Sequence, residues 1–426
     1  MRVLLIAYEY PPVLAAQSLR WHYLGNHLGE LGVELDVLTA SLRDIWGFEP
    51  ELHPGVRVHR CFPGPFVGLS GHLAKYVKAR DGSAKEGEAP GTGGSGEIVY
   101  RLARRALDHL VFPDVRTEWL PFAWRAAQRL HSRRRYDLVI SSHEPGVDLL
   151  LGLKAKRHWQ IPWVADLADP LLTPYTPRWR ARLDRLLEGR VCREANAVIV
   201  THEVVADLLA GRHGIPSNSF TVVQQGFTSE ANGADPPSAG IAGENGRMVL
   251  LFTGSFYRGF RDPSSLLEAL SQFSDLHFVV AGEVGPFKPA FDVLEDRVRL
   301  LGKQSHARCL ALQRKAGVLV NLGNTQSYQI PGKFYEYLGA GRPILHIAGS
   351  SDDPVSALVE ELVRGYSVMN DPDEIVAALQ KLRCLWRSGS LDGEFDLTAD
   401  RLKEFSWEAG ARRLHGLLER IIAGKV

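Results

Sequence analysis

The sequence predicts an α/β protein built from two tandem Rossmann-like domains, each a doubly wound parallel sheet. Three observations carry this expectation. Short runs of apolar and β-branched residues alternate with longer helical stretches, the pattern of strands buried on both faces and joined by helices. The alternation breaks at a segment rich in Gly, Pro, Ser and charge, residues 229–246, and then restarts. The chain has 426 residues, 45% of them apolar, which is enough length for more than one core and enough material to fill it.

Residues 3–7 (VLLIA) read as the first strand. A Pro-containing turn at 8–12 leads into a helix over about 16–31. Gly32 ends it as a C-cap, where glycine takes the left-handed conformation at no steric cost. A strand at 33–38 (VELDVL) completes a βαβ unit. The same alternation gives a strand at 136–141 (YDLVIS), a helix at 146–159, a strand at 162–166 (PWVAD) and a charged helix at 178–194. A strand at 197–201 (AVIVT), another helix and a strand at 220–223 (FTVV) follow. Residues 80–96 hold Gly, Ser and charge with almost no apolar side chains, so they are expected to form a flexible insertion. The first domain therefore spans 1–228 and the linker 229–246. In the second domain, 247–404, strands are expected at 248–253, 277–281, 298–301, 318–321 and 344–347. Two such sheets are expected to face a central cleft with their carboxyl ends, where open α/β sheets bind ligands.

Composition narrows the function classes. Fifty Lys and Arg balance 49 Asp and Glu, so no global field favours nucleic acid. The four cysteines are far apart and form no CxxC pair, which argues for reduced, buried thiols over a zinc or redox site. No run approaches the ~20 apolar residues of a membrane span. A cytoplasmic protein is expected. Arginines at 101, 104, 105, 133–135, 178, 180, 182 and 185, with Trp119, Trp124 and Trp179 nearby in sequence, could dock on an anionic inner membrane surface. No GxGxxG follows either domain's first strand, so a nicotinamide dehydrogenase is disfavoured.

The sharpest local signal is the segment 331–343, PGKFYEYLGAGRP. Pro331 and Gly332 open a short helix, and Gly341 with Pro343 closes it. Lys333 and Glu336 are three apart and share a face. A cation on the opening turn, where unpaired backbone N–H groups favour anions, suits a diphosphate; a carboxylate one turn deeper suits the two hydroxyls of a ribose. The same spacing also fits a solvated ion pair.

This segment resembles the P-x-K-x-x-E-Y-x-x-x-G-x-P signature of family-4 retaining glycosyltransferases of the bacterial polysaccharide and natural-product type. Other pieces match in order. The stretch from Gly254 and Ser255 through Arg258 resembles the family's loop in which a glycine lets the backbone approach the donor and a basic residue meets the β-phosphate. The run ending in Gly282 resembles the strand end near the base. His143, in Ser-His-Glu-Pro, matches the histidine near the transferred sugar, and Asp169 lies in a D-x-x-D-P motif with an acceptor-facing role. Phe405-Ser406-Trp407-Glu408 resembles the start of the closing helix, 405–426, that crosses back to the first domain. The resemblance implies a GT-B fold and metal-independent transfer, with retention, from a UDP- or GDP-sugar to a glycan, lipid-linked or small-molecule acceptor. No cofactor or metal is implied. His143, Asp169, Arg258 and Lys333 would be catalytic. Gly254, Ser255, Arg258, Gly282, Gly332, Lys333 and Glu336 would bind the donor. Arg258 matches the phosphate position better than Arg261. Arg20, on the first helix, is expected on a solvated face. Where many members carry a first glutamate eight residues before the second, this chain has Tyr328. A sugar-nucleotide epimerase or hydrolase on the same scaffold, or a non-catalytic partner subunit, are the alternatives.

Overall fold

A computed structural model describes residues 1–42, 50–68, 111–174, 176–228, 246–324 and 328–425. The expected insertion at 80–96, residues 229–245 of the expected linker, and Arg101, Arg104 and Arg105 lie outside the described residues. The chain divides into two compact units, Met1–Val223 with Ala411–Val426, and Gln224–Gly410.

In the first unit the strands are β1 (Arg2–Ile6), β2 (Glu34–Ala40), β3 (Val56–Cys61), β4 (Leu138–His143), β5 (Trp163–Leu167), β6 (Ala197–Val200) and β7 (Phe220–Val222). The helices are α1 (Ala16–Glu30), α2 (Leu120–Arg133), α3 (Gly146–Trp159), α4 (Arg178–Glu194) and α5 (Glu203–His213). The sheet order is β3-β2-β1-β4-β5-β6-β7, and every pairing is parallel. Leu5 of β1 sits beside Val37 of β2 and Ile140 of β4. All five β1 residues are buried, which is why that strand shows no polar alternation. Gly32 has φ +81 just past α1, as its C-cap role requires.

In the second unit the strands are β8 (Met248–Thr253), β9 (Leu276–Ala281), β10 (Val298–Leu300), β11 (Val318–Leu322), β12 (Ile344–Ala348) and β13 (Gly365–Met369). The helices are α6 (Ser264–Ser271), α7 (Lys288–Asp292), α8 (His306–Lys315), α9 (Gly332–Gly339), α10 (Pro354–Glu361), α11 (Pro372–Arg387), α12 (Leu391–Glu394) and α13 (Trp407–Ile422), whose residues from Ala411 group with the first unit. The order β10-β9-β8-β11-β12-β13 is again fully parallel. Met248, Leu250 and Phe252 enter the core on one face of this sheet, Val249 and Leu251 the core on the other.

Both sheets reverse direction of winding beside their first strand, between β1 and β4 and between β8 and β11. At such a switch point the connections leave to opposite faces and open a crevice at the strands' carboxyl ends.

Two expectations about side chains are corrected. Arg20 is not on a solvated face: it is fully buried, and its guanidinium pairs with Asp166 at 3.0 Å (Nε to Oδ2) and 3.3 Å (Nη2 to Oδ1). Trp119 is not part of a surface patch. It is wholly buried with its ring edge-on to Tyr8, whereas Trp179 is exposed. Of the cysteines, Cys309 is buried, Cys61 and Cys192 are half-buried, and Cys384 is exposed, so the expectation of four buried thiols does not hold.

Candidate functional site

At the carboxyl end of β8 and β9 two glycines lie against each other. Gly254 has φ +148 and its N–H donates to the Ala281 carbonyl at 3.0 Å. Gly282 has φ +159, and a Cβ there would fall 1.6 Å from the Gly254 carbonyl oxygen. Only glycine fits at Gly282, because the obstacle is backbone and cannot turn aside. The loop after Gly254 is thereby held close to its neighbour strand, and Ser255 within it is half-buried.

That loop continues into a turn closed by mutual backbone hydrogen bonds between Tyr257 and Arg261. Arg258 lies exposed in the turn. Arg261 instead folds back: its Nη1 would be 3.7 Å from a Cβ at Gly254, and its Nη2 donates to Asn324 Oδ1 at 2.9 Å. Asn324 follows β11, so this bond spans the switch point between β8 and β11. Burial lowers the Arg261 pKa from its ordinary value, against the opposing pull of Tyr337 and Tyr257. A guanidinium stays charged through such a shift.

Helix α9 supplies the other half. Pro331 caps it in an extended conformation, Gly332 opens it, and the Phe334 N–H closes the first turn on the Pro331 carbonyl at 2.9 Å. Lys333 Nζ is 3.7 Å from Glu336 Oε2. The pair is not a solvated one: the Glu336 side chain is only 12% exposed. Glu336 Oε2 also accepts from Gln313 Nε2 at 3.1 Å, and Oε1 lies 3.9 Å from His306 Nδ1. Burial pushes the Glu336 carboxyl up, but Lys333, His306 and the Gln313 amide outweigh it and hold the pKa below the usual range. Burial likewise works against the Lys333 ammonium, and Glu336, with Cys309 and Tyr337, holds its pKa above the usual lysine value. Burial lowers His306 despite Glu336, so the arrangement near neutral pH is one cation, one carboxylate and an imidazole biased toward neutrality.

Helix α9 and strand β8 are tied together by side chains. Tyr337 Oη accepts the Thr253 N–H at 2.8 Å and lies 3.1 Å from Thr253 Oγ1, and Gln313 Nε2 donates to the same Oγ1 at 3.0 Å. Tyr337 is the tyrosine of the P-x-K-x-x-E-Y signature, whereas the parts of Thr253 and Gln313 in this tie were not legible from motif reading. Their signal was present in α8 and β8: Cys309, Leu312, Gln313 and Ala316 fall on one buried helical stripe, where an amide is out of place unless it is paired.

In the first unit His143 ends β4 and is 4% exposed. Among the described residues neither ring nitrogen finds a hydrogen-bond partner. Burial lowers its pKa, opposed chiefly by the Asp169 and Asp114 carboxylates. Its carbonyl accepts from Gln17 Nε2 at 2.6 Å, so helix α1 anchors the histidine's backbone. Asp169 is half-buried after β5, two residues beyond the end of the strand that carries Asp166. Among the described residues no group of three or more His, Cys, Asp or Glu could hold a metal ion, and no helix is long and apolar enough to cross a membrane.

Comparison with known proteins bears on what this arrangement does. Residues 17–226 match the model of a glycosyl transferase 4-like domain. A D-inositol 3-phosphate glycosyltransferase of Corynebacterium jeikeium (strain K411) is 24% identical over 432 aligned positions, covering 93% of this chain and 90% of that protein. Among solved structures, the sucrose-phosphate synthase tll1590 from Thermosynechococcus elongatus superposes with a TM-score of 0.70 at 16% identity, covering 99% of both chains. Anabaena Alr3699/HepE in complex with UDP and glucose superposes at 0.64 with 16% identity, covering 98% of this chain and 99% of that one.

Proposed function

The chain is a glycosyltransferase that carries a glycosyl transferase 4-like domain on a GT-B fold, and on that premise we propose that it transfers a sugar from a UDP-sugar to a hydroxyl of a second molecule with retention at the anomeric carbon. The observation that carries the donor reading is the juxtaposition in the second unit of Lys333 and the buried Glu336 on the opening turns of α9. A solvated ion pair has no need of an amide and an imidazole around its carboxylate. A ribose site does, because the carboxylate has to stay ionised and stationary to accept two hydroxyls. The choice of uridine rests on the UDP-bound relatives of this fold.

In this reading the bond from the anomeric carbon to the β-phosphate oxygen breaks and UDP leaves with the electron pair. The acceptor oxygen bonds to the same face of that carbon, and its proton passes to the departing phosphate. Charge grows on the β-phosphate, where Lys333 and Arg261 supply fixed positive charge without a metal ion. Arg261 is preferred to Arg258 because its guanidinium lies beside Gly254 and is fixed by Asn324. Gly254, Ser255 and Gly282 form the close-approach backbone, Gly332 starts the helix whose amides face the anion, and Asp169 serves the acceptor. The acceptor in this reading is a glycan, a lipid-linked molecule or a small molecule. Peripheral contact with an anionic membrane surface is supported by the exposed Arg125, Arg129 and Arg133 along α2, a basic stripe at helical spacing.

His143 acts as a neutral imidazole toward the transferred sugar. Its pKa lies below the ordinary histidine value, so the ring stays neutral as pH falls to and past ~6.5 and charges only below it. The expected pH profile of kcat/KM therefore has no acid limb due to His143 centred at or above the ordinary histidine value of ~6.5. An acid limb centred above pH 7 that vanishes in His143→Asn contradicts this role. Retention is tested by proton NMR of the first-formed product: an axial donor has to give an axial glycoside, and an equatorial product rejects the same-face mechanism. An epimerase would convert the UDP-sugar with no acceptor present.

A further inference from the structure

We propose that Gln313 is a positioning residue that locks the Glu336 carboxylate to the end of β8, so that the ribose and the pyrophosphate of the donor are gripped as one unit. This rests on the donor reading above. Gln313 is fully buried. Its amide nitrogen has two protons, and two acceptors lie within hydrogen-bond reach: Glu336 Oε2 at 3.1 Å and Thr253 Oγ1 at 3.0 Å. The orientation of the amide is chemically fixed, since a carboxylate only accepts and only the NH2 end can face it. Thr253 immediately precedes Gly254, the close-approach glycine of the phosphate loop, and Glu336 is the ribose carboxylate. One side chain from α8 therefore connects the two halves of the site.

The ion pair alone cannot do this. Lys333 stands 3.7 Å from Glu336, beyond ordinary hydrogen-bond length, and a diphosphate on the opening turn of α9 competes for its ammonium. Tyr337 ties α9 to Thr253 but is the residue after Glu336 and leaves the carboxylate's own torsions free. The Gln313 bond persists when Lys333 turns to phosphate. It removes the rotamer freedom that Glu336 would otherwise lose on binding.

The test compares UDP with 2′-deoxy-UDP by calorimetric titration of the full chain. The wild-type protein is expected to prefer UDP by about tenfold or more, the worth of a hydroxyl bonded to a carboxylate. In Gln313→Met, which keeps length and removes the N–H groups, that preference is expected to fall to about twofold or less, with UDP affinity falling more than 2′-deoxy-UDP affinity. Thr253→Val removes the other anchor of the amide and is expected to shift the ratio in the same direction, which keeps the proposal testable if Gln313→Met does not fold. A purely structural role lowers both affinities equally. An unchanged ratio in both variants overturns the proposal and leaves the donor reading standing. If the wild-type chain bound UDP not at all, the donor reading would fall and take this proposal with it.

Discussion

Lys333→Ala is expected to lower sugar transfer by about 10²–10³-fold while the protein remains folded, the range seen when one preorganised charge-stabilising group is removed from a transition state. The reasoning is differential. The ammonium is worth most when the bond to the β-phosphate is breaking and negative charge is growing there, and less toward the bound donor. The loss should therefore appear mainly in kcat, with a smaller rise in the donor KM. The fold is expected to survive, because Lys333 is 37% exposed and Glu336 keeps its bonds to Gln313 and its neighbour His306. Circular dichroism and the melting temperature check this, and steady-state UDP release checks the rate. A variant with wild-type kcat removes Lys333 from the chemistry.

Gly282→Ala is the second large effect, and it acts through the backbone. The new Cβ would overlap the Gly254 carbonyl, at 1.6 Å from the oxygen and 2.5 Å from the carbon. Neither is a side-chain end that can rotate away, so β8 and β9 have to separate at their carboxyl ends or φ +159 has to be abandoned. The cost is about 3 kcal/mol or more, a drop of roughly 6–12 °C in melting temperature for a domain of this size. Transfer should fall as well, since the displaced strand end leads into the proposed phosphate loop. Gly389→Ala is the control: φ is +72 but no atom lies within 4 Å of the added carbon, so the cost is only the left-handed strain of about 1 kcal/mol. Equal melting temperatures for the two variants would show that the contact between Gly254 and Gly282 is not as tight as described.

The fold was legible where burial on both faces wrote itself into the chain. Residues 3–7 and 248–252 are unbroken apolar runs because β1 and β8 are central strands, and the helix at 178–194 matched α4 at both ends. The strands that escaped reading, β3 and β13, lie at sheet edges. In β3 (VRVHRC) only Val56 is buried and polar residues fall on both faces, and its Arg57 and His59 serve the buried Asp36 carboxylate of β2. GYSVM in β13 is half-exposed throughout most of its length.

The site was legible to the extent that it was local. Lys333 and Glu336 share a helix turn, so their spacing announced them. The proposed preference for Arg261 over Arg258 was not legible, because it depends on which side of a turn folds back onto Gly254 and Asn324, a matter of three-dimensional closure. Arg20 read as a surface arginine because its partner, Asp166, is 146 residues away. Gln313 and Thr253 belong to no motif. They become visible only when α8, α9 and β8 come together and a buried amide needs two acceptors.

The most direct measurement is a calorimetric titration of UDP into the wild-type chain and into Glu336→Gln. The account requires saturable one-site binding by the wild type, weakened about tenfold or more in the variant, which keeps the shape of the side chain but loses the charge that two ribose hydroxyls bond to. Equal affinity in both proteins, or no binding by either, would contradict the claim that α9 holds a nucleoside diphosphate.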